Sequence, residues 1–267
     1  MSSTLHTVRS ADGTTIAYEE SGSGPRLVLV HGGVSDRTYW TPVLAALAED
    51  FTVVSVDRRG RGASGDTEPY ALAREADDLV AVVEAFDEPV HLLGHSYGGL
   101  VALEAARRTG NLASLTLYEP AIGFGGAIPQ EFIAEIGALV AADRRDDATA
   151  LMMGELVGLP ADVLTELRAD TAAWQPMVDS VHTLPRELRT VADFRFDADR
   201  FQGIDVATVL LAGLASPPEM HVGVHLVHDA VDGARVVTME GVDHEAVTTG
   251  PDVLVAAISD SLRAVAR

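Results

Sequence analysis

A serine in a glycine-rich turn is the first residue whose setting suggests chemistry. Ser96 lies at the centre of Gly94–Gly98, which matches the pattern Gly-x-Ser-x-Gly. An apolar stretch typical of a strand, 89–93, precedes it, and a stretch rich in Ala and Leu that is typical of a helix, 99–108, follows it. A serine in such a strand-to-helix turn projects its hydroxyl above the sheet edge, beside a helix N-terminus that favours negative charge. We therefore predict that Ser96 is a nucleophile.

A serine hydroxyl needs a general base, and one histidine lies where such a base could reach the turn. His244 follows the last predicted strand and precedes the C-terminal helix that begins near Gly250. It therefore lies in a loop at the same edge of the sheet as Ser96. His95 adjoins Ser96, but adjacent side chains in a tight turn point apart, so we expect it to pack beside the turn. We predict that His244 is the general base.

Backbone amides near two glycines could stabilise the negative charge that forms on a substrate. The segment His31–Gly33 follows a continuous apolar stretch. Amides in this loop can face the oxygen of a tetrahedral intermediate, and the serine turn supplies a second donor, the amide after the nucleophile. We predict an oxyanion hole formed by the amides of Gly33 and Tyr97, with Val34 as the alternative to Gly33. We expect His31 to anchor the loop.

Alternating strand and helix patterns surround these residues. Apolar runs typical of buried strands alternate with segments of helical periodicity along most of the chain. Strands are predicted at 14–20, 26–30, 51–56, 89–93, 115–118, 206–212 and 236–239. This alternation predicts an α/β fold with a doubly wound, mostly parallel sheet.

One long segment interrupts the alternation. Residues 121–203 contain no convincing strand and are typical of several helices separated by prolines. The segment is too long for an ordinary connection between a helix and a strand. We predict a helical cap at 121–203, inserted between two strands of a core formed by 1–120 and 204–267.

Taken together, these features resemble the α/β-hydrolase fold superfamily, of the type with a Ser-acid-His triad and a helical cap. The resemblance rests on four segments: His31–Gly33, Asp57–Ser64, Gly94–Gly98 and Gly241–His244. It implies a cofactor-free serine hydrolase that cleaves a small-molecule carboxylic ester or lactone through an acyl-enzyme on Ser96. The superfamily also contains carbon–carbon bond hydrolases and perhydrolases, which these segments do not distinguish. Relatives that open epoxides or remove halogens use an aspartate nucleophile, and the serine argues against both activities.

The acid of the triad is missing from its usual place. In the superfamily it usually follows the strand after the cap, in a Gly-x-x-Asp turn, but this chain has Ser216 at that position. Glu119 directly follows the strand beside the nucleophile's strand, and neighbouring parallel strands end at the same edge of a sheet. Some superfamily members carry their acid there. We predict that Glu119 orients His244, with Glu219 as the alternative.

Composition limits the partners of the protein. The 267 residues include 19 basic and 40 acidic side chains, and the formal net charge of −21 disfavours nucleic acids and anionic membranes as partners. Cysteine is absent, which excludes thiol catalysis and cysteine zinc sites. No apolar run is long enough for a membrane-spanning helix, and the first 13 residues lack an apolar secretion signal. We expect a cytoplasmic protein with a small-molecule substrate and no membrane insertion.

Two further patterns match binding motifs but lie in unsuitable surroundings. The segment Gly60–Gly65 matches Gly-x-Gly-x-x-Gly, but no helix opens directly from it, so we do not expect dinucleotide binding. His221, His225 and His228 have a helical spacing that could bind zinc or nickel. A helix at this point of the fold normally packs on the outside of the sheet, away from Ser96, and we expect no metal.

The substrate pocket and the activity itself are less constrained by the sequence. Trp40, Phe124 and Trp174 are candidates for an apolar pocket, with core packing as the alternative for each. The missing acid after the cap also leaves a second function open, a ligand-binding or sensing protein on the same fold with a weakened triad.

Overall fold

Eight strands form one sheet in the computed structural model, which describes residues 4–124 and 126–265. The strands are β1 Thr4–Arg9, β2 Thr15–Gly22, β3 Arg26–Val30, β4 Thr52–Val56, β5 Val90–His95, β6 Leu112–Tyr118, β7 Thr208–Gly213 and β8 Arg235–Met239. Their order in the sheet is β1-β2-β4-β3-β5-β6-β7-β8. The pairs β1–β2 and β2–β4 are antiparallel, and the other pairs are parallel. The predicted α/β fold with a mostly parallel sheet is confirmed.

Helices cover both faces of the sheet and occupy the long connection after β6. They are α1 Thr41–Leu47, α2 Leu72–Val83, α3 Tyr97–Ala106, α4 Gln130–Ala141, α5 Arg145–Leu151, α6 Ala161–Ala169, α7 Thr171–Ser180, α8 Leu184–Asp193, α9 Pro218–Ala230, α10 Ala246–Thr249 and α11 Pro251–Val265. Short 3-10 turns and one π-helical turn join some of them.

Alternate residues of β3 supply two hydrophobic cores. Val28 and Val30 belong to a buried cluster with residues of α2 and α3, whereas Leu27 and Leu29 belong to a second cluster with residues of α1 and α11. Successive side chains of a strand point to opposite faces, so a continuous apolar run suits a sheet that is covered on both sides. The two helical layers hold the sheet, and with it the loops at its carboxyl edge.

The predicted strands are present, together with one strand that the sequence pattern does not indicate. The first strand, β1, was not predicted because it lies at the sheet edge, is largely exposed and contains only two apolar residues, Leu5 and Val8. The helix after the serine turn also begins earlier than predicted. It starts at Tyr97 rather than Gly99, because Ser96 alone makes the reversal between strand and helix.

Five helices, α4 to α8, lie between β6 and β7, and no strand occurs in the described part of this connection. Phe132 and Ile136 of α4 and Leu188 of α8 join the buried cluster that also contains residues of α2 and α3. The insertion therefore shares a hydrophobic core with one helical layer of the sheet. The division into a core at 1–120 and 204–267 and a cap at 121–203 remains a prediction.

None of the helices that the structure describes combines the length and apolar character needed to cross a membrane. The N-terminal segment considered for a secretion signal includes residues 1–3, which lie outside the described residues. The cytoplasmic location remains a prediction.

Candidate active site

Ser96 occupies a strained turn between β5 and α3. Its φ of 55° and ψ of −121° are unusual for a residue that carries a side chain. Glycines make this geometry possible, because a Cβ atom at Gly94 would collide with the carbonyl oxygen of Gly98, and one at Gly98 would collide with that of His31. The turn therefore has the strand–serine–helix form expected from the sequence, with Ser96 at the N-cap of α3.

Two backbone hydrogen bonds join the serine turn to the end of β6. The amide of Ser96 donates to the carbonyl oxygen of Tyr118 over 3.0 Å, and the amide of Ala121 donates to the carbonyl oxygen of Ser96 over 2.9 Å. Glu119 lies between these two partners in the sequence. The backbone of the predicted nucleophile and that of the predicted acid are therefore neighbours at the carboxyl edge of the sheet.

Glu119 is fully buried and contacts the predicted base. Its Oε2 lies 2.7 Å from Nδ1 of His244, and its Oε1 accepts a hydrogen bond of 2.8 Å from the amide of Gly213. The side chain is 0% exposed, and the backbone φ is 41°. Because Gly213 ends β7, the carboxylate connects the ends of two neighbouring strands with the His244 loop. The structure thus brings together the acid and the base that the sequence analysis assigned.

Two aromatic side chains hold the loop that carries His244. The hydroxyl of Tyr118 donates to the carbonyl oxygen of Asp243 and accepts a hydrogen bond of 3.3 Å from the amide of Ala246. Nε2 of His95 donates to the carbonyl oxygen of His244 over 3.0 Å, and the two rings lie 4.5 Å apart. The position of His95 in the sequence predicts only packing. Its hydrogen bond joins loops far apart in the chain, and no local pattern indicates it.

The other positions considered for the acid do not contact His244. Glu219 is exposed in the first turn of α9, and no hydrogen bond or ion pair joins it to His244 within the described chain. Ser216, at the usual position of the acid, is buried, and its hydroxyl has no hydrogen-bond partner among the residues that the structure describes.

Gly32 and Tyr97, beside or at the amides predicted for the oxyanion hole, adjoin Ser96. Gly32 lies so close that a Cβ atom on it would come within 3.1 Å of the Cβ atom of Ser96. Tyr97 is the first residue of α3, so its amide has no acceptor within the helix. The amides of Gly33 and Val34 donate no hydrogen bond to any described residue. The choice of Gly33 over Val34 remains a prediction.

The three aromatic residues predicted to line a pocket differ in their surroundings. Trp40 is fully buried in the cluster formed with α1 and α11, where its ring meets that of His95 edge-on. Trp174 of α7 is buried in the insertion and donates from Nε1 to Asp146 over 2.6 Å. Phe124 is half-buried against the other cluster. Their role in lining a substrate pocket remains a prediction.

The helix with the three histidines begins closer to the site than the sequence predicts. Nε2 of His221 donates to the carbonyl oxygen of Gly213 over 2.9 Å and lies 3.7 Å from Oε1 of Glu119. The expectation that this helix lies away from the site was therefore wrong for its first turn. The reason is that α9 starts at Pro218, shortly after β7 ends at the carboxyl edge. In the described chain, no group of three metal-ligating side chains is placed to hold a metal ion.

The glycine-rich loop after β4 folds around its own carboxylate. The side chain of Asp57 accepts hydrogen bonds from the amides of Arg37 and Ala63, over 3.0 and 2.8 Å, and the hydroxyl of Ser64 donates to its carbonyl oxygen. Within this loop the amide of Ala63 donates to Asp57, and those of Gly60, Ser64 and Gly65 donate to backbone carbonyl oxygens.

Two buried histidines beside the site predict a loss of stability in mild acid. Burial lowers the pKa of His31 and of His95 well below 6.5, aided by the charges of Arg58 and Arg61 at His31 and by His244 at His95. Below pH 6.5 the unfolded chain takes up two protons that the folded protein does not bind, so stability falls as the pH falls. Between pH 7.5 and 5.5, we expect each histidine to lower the free energy of unfolding by about 1.4 kcal/mol.

Urea unfolding at the two pH values measures this effect. Between pH 7.5 and 5.5, the free energy of unfolding of His95→Gln should fall by about 1.4 kcal/mol less than that of the wild type. The matched control, His225→Gln, replaces an exposed histidine of α9 and should keep the wild-type pH dependence. An equal fall in the free energy of unfolding of the wild type and of His95→Gln would contradict the prediction.

A family model places the whole site within one known family. The model of the alpha/beta hydrolase family matches residues 27–257, which include Ser96, Glu119 and His244. The chain belongs to the α/β hydrolase family. A solved α/β hydrolase from Sphaerobacter thermophilus is similar to it over 96% of this chain and 99% of that one, with 36% sequence identity and a TM-score of 0.85.

Two curated proteins show how similarity to this α/β hydrolase is distributed along the chain. The 2-(acetamidomethylene)succinate hydrolase of Mesorhizobium japonicum is 25% identical over 261 residues, which are 94% of this chain and 92% of that protein. The probable oxidoreductase EphD of Mycobacterium tuberculosis is 41% identical over 110 residues, which are 39% of this chain and only 19% of that protein. The EphD similarity therefore concerns one part of a much longer protein.

Proposed function

We propose that this α/β hydrolase cleaves a small-molecule carboxylic ester or lactone through an acyl-enzyme on Ser96. The observation that carries the proposal is the 2.7 Å contact between Oε2 of the buried Glu119 and Nδ1 of His244. A carboxylate at Nδ1 keeps the proton on that nitrogen and leaves Nε2 free to accept the serine proton. The strained turn at Ser96 supports the same assignment.

The proposed reaction has two halves. In the first, His244 takes the proton of Ser96 while the serine Oγ attacks the ester carbonyl, and the amides of Gly33 and Tyr97 stabilise the oxyanion. The intermediate collapses when His244 protonates the leaving alcohol, and the acyl group stays on Ser96. In the second half, His244 deprotonates water, which attacks the acyl-enzyme and releases the acid. Glu119 stabilises the imidazolium in both halves, and neither half requires a cofactor.

The sequence left a ligand-binding or sensing protein as the alternative, because the usual acid after the cap is missing. The contact between Glu119 and His244 supplies a carboxylate from another strand and favours the hydrolase. We further propose that the helical insertion is the cap that controls access to Ser96. The relative from Mesorhizobium japonicum is named a hydrolase, which is consistent with this reaction class.

Labelling with a fluorophosphonate probe tests the proposal without knowledge of the substrate. The probe reacts with an activated serine, so intact mass should show one adduct on the wild type and none on Ser96→Ala. The control Ser216→Ala removes another buried hydroxyl near the carboxyl edge and should label like the wild type. The series is run at several salt concentrations because the net charge is −21. Absence of an adduct at every salt concentration, in a folded wild-type protein, would overturn the serine mechanism.

A further inference from the structure

Two buried side chains hold the carbonyl group between Gly32 and Gly33. Nδ1 of His31 donates to the carbonyl oxygen of Gly32 over 2.9 Å, and Nη1 of Arg58 donates to the same oxygen over 2.8 Å. The peptide bond that follows this carbonyl is trans. In a trans peptide the C=O and the next N–H point in opposite directions. The two donors therefore set the direction of the Gly33 amide, which is the proposed oxyanion donor.

Arg58 also sets the protonation of His31. The backbone amide of Arg58 donates to Nε2 of His31 over 3.2 Å, so this nitrogen acts as the acceptor and the proton is on Nδ1. Nδ1 is the nitrogen that donates to Gly32. One residue thus contacts the Gly32 carbonyl directly through its guanidinium and indirectly through the histidine.

The guanidinium of Arg58 is itself held from three directions. It forms two hydrogen bonds of 2.8 Å with the carboxylate of Glu75 in α2 and one of 2.8 Å with Glu187 in α8. Its Cζ lies 4.4 Å from the centre of the Tyr97 ring. The side chain is only 2% exposed, so water does not screen these contacts. The group that touches the Gly32 carbonyl is therefore fixed by a core helix, by a helix of the insertion and by the serine turn.

We propose that Arg58 is a positioning residue for the oxyanion hole. Its hydrogen bond to Gly32 aims the Gly33 amide, and its stacking on the Tyr97 ring holds the residue that supplies the second amide. A cation at the carbonyl oxygen also polarises the peptide unit and strengthens its N–H as a donor. This inference rests on the proposed function, since an oxyanion hole has a role only if Ser96 attacks a carbonyl group.

The neighbouring residue offers a matched control. Arg59 is also fully buried, and it forms hydrogen bonds of 2.6 and 2.7 Å with Asp78 and further contacts with Asp12. It makes no hydrogen bond to Gly32. Replacing either arginine with methionine removes a cation from buried carboxylates and should destabilise the fold. Only the change at Arg58 removes a contact to the oxyanion loop.

The experiment compares Arg58→Met, Arg58→Lys and Arg59→Met in the full chain, with p-nitrophenyl acetate as substrate. We expect Arg58→Met to lower kcat by about 10- to 100-fold with KM within about threefold of the wild type, because loss of one oxyanion donor costs about 10²- to 10³-fold and here the donor is misdirected rather than removed. Arg58→Lys keeps a positive charge beside the buried carboxylates. Its kcat should lie between those of the wild type and Arg58→Met. Arg59→Met should keep kcat within about threefold of the wild type at a temperature where it is folded.

The backbone amide of Gly33 gives a second readout that does not depend on turnover. In protein labelled with ¹⁵N-glycine, the Gly33 amide resonance should shift in Arg58→Met and stay in place in Arg59→Met. An unmoved resonance, or an equal fall of kcat in the two methionine variants, would overturn the role of Arg58. If the wild type neither labels nor turns over an ester, the proposed function fails, and the Gly33 resonance still decides whether Arg58 positions this amide.

Discussion

Replacing Ser96 with alanine is expected to lower kcat for p-nitrophenyl acetate by about 10⁵- to 10⁶-fold. The change removes the Oγ atom that attacks the ester, while the glycines that shape the turn and the hydrogen bonds of the Ser96 backbone remain. The amides and the binding surface are kept, so slow hydrolysis above the rate in water should remain. Steady-state kinetics with enzyme purified separately from the wild type measures the loss.

The control for this prediction is Ser216→Ala. It also removes a buried serine hydroxyl, but one that has no hydrogen-bond partner in the described part of the chain. Its kcat should stay within about twofold of the wild type. A Ser96→Ala variant that retains more than a tenth of the wild-type kcat would show that the hydrolysis does not pass through this serine.

Replacing Glu119 with glutamine is expected to lower kcat by about 10⁴-fold with little change in KM. The amide of Gly213 donates to Oε1 of Glu119, so the glutamine oxygen has to take that position and its NH₂ group then faces Nδ1 of His244. An NH₂ group facing Nδ1 moves the imidazole proton to Nε2. The histidine can then no longer accept the proton of Ser96 at Nε2.

The matched control is Glu219→Gln, because Glu219 is the other carboxylate that the sequence offers for the triad. Glu219 is exposed in the first turn of α9. The Glu219→Gln variant should therefore have the kcat of the wild type. If kcat fell less than about tenfold in Glu119→Gln and far more in Glu219→Gln, the triad acid would have to be reassigned to Glu219. Circular dichroism on both variants verifies that the buried change at Glu119 has not unfolded the protein.

In the proposed mechanism, Glu119 takes the place of an acid after β7. β6 and β7 are adjacent and parallel, and Leu115–Tyr118 pairs with Thr208–Leu211. A carboxylate at the end of β6 can therefore reach the amide of Gly213 at the end of β7. A carboxylate at the end of β6 thus contacts the histidine loop from the strand next to β7.

Short-range patterns in the sequence were enough to predict the strands of the parallel sheet, the serine turn and the histidine loop. Each follows from the residues in one segment: the apolar run 26–30 has to be covered on both faces, and the glycines around Ser96 permit a close turn. The edge strand β1 escaped prediction because its exposure removes the apolar pattern.

Contacts between distant loops were decided by the tertiary structure. The sequence placed Glu119 at the correct edge, but its hydrogen bond to His244 depends on the strand order and on a backbone φ of 41° at Glu119. The hydrogen bond from Arg58 to Gly32 and the contact of His95 with the His244 loop had no local signal. Hydrophobic periodicity records which face of an element is buried, whereas the partner of a buried polar group depends on which loops the folded sheet brings together.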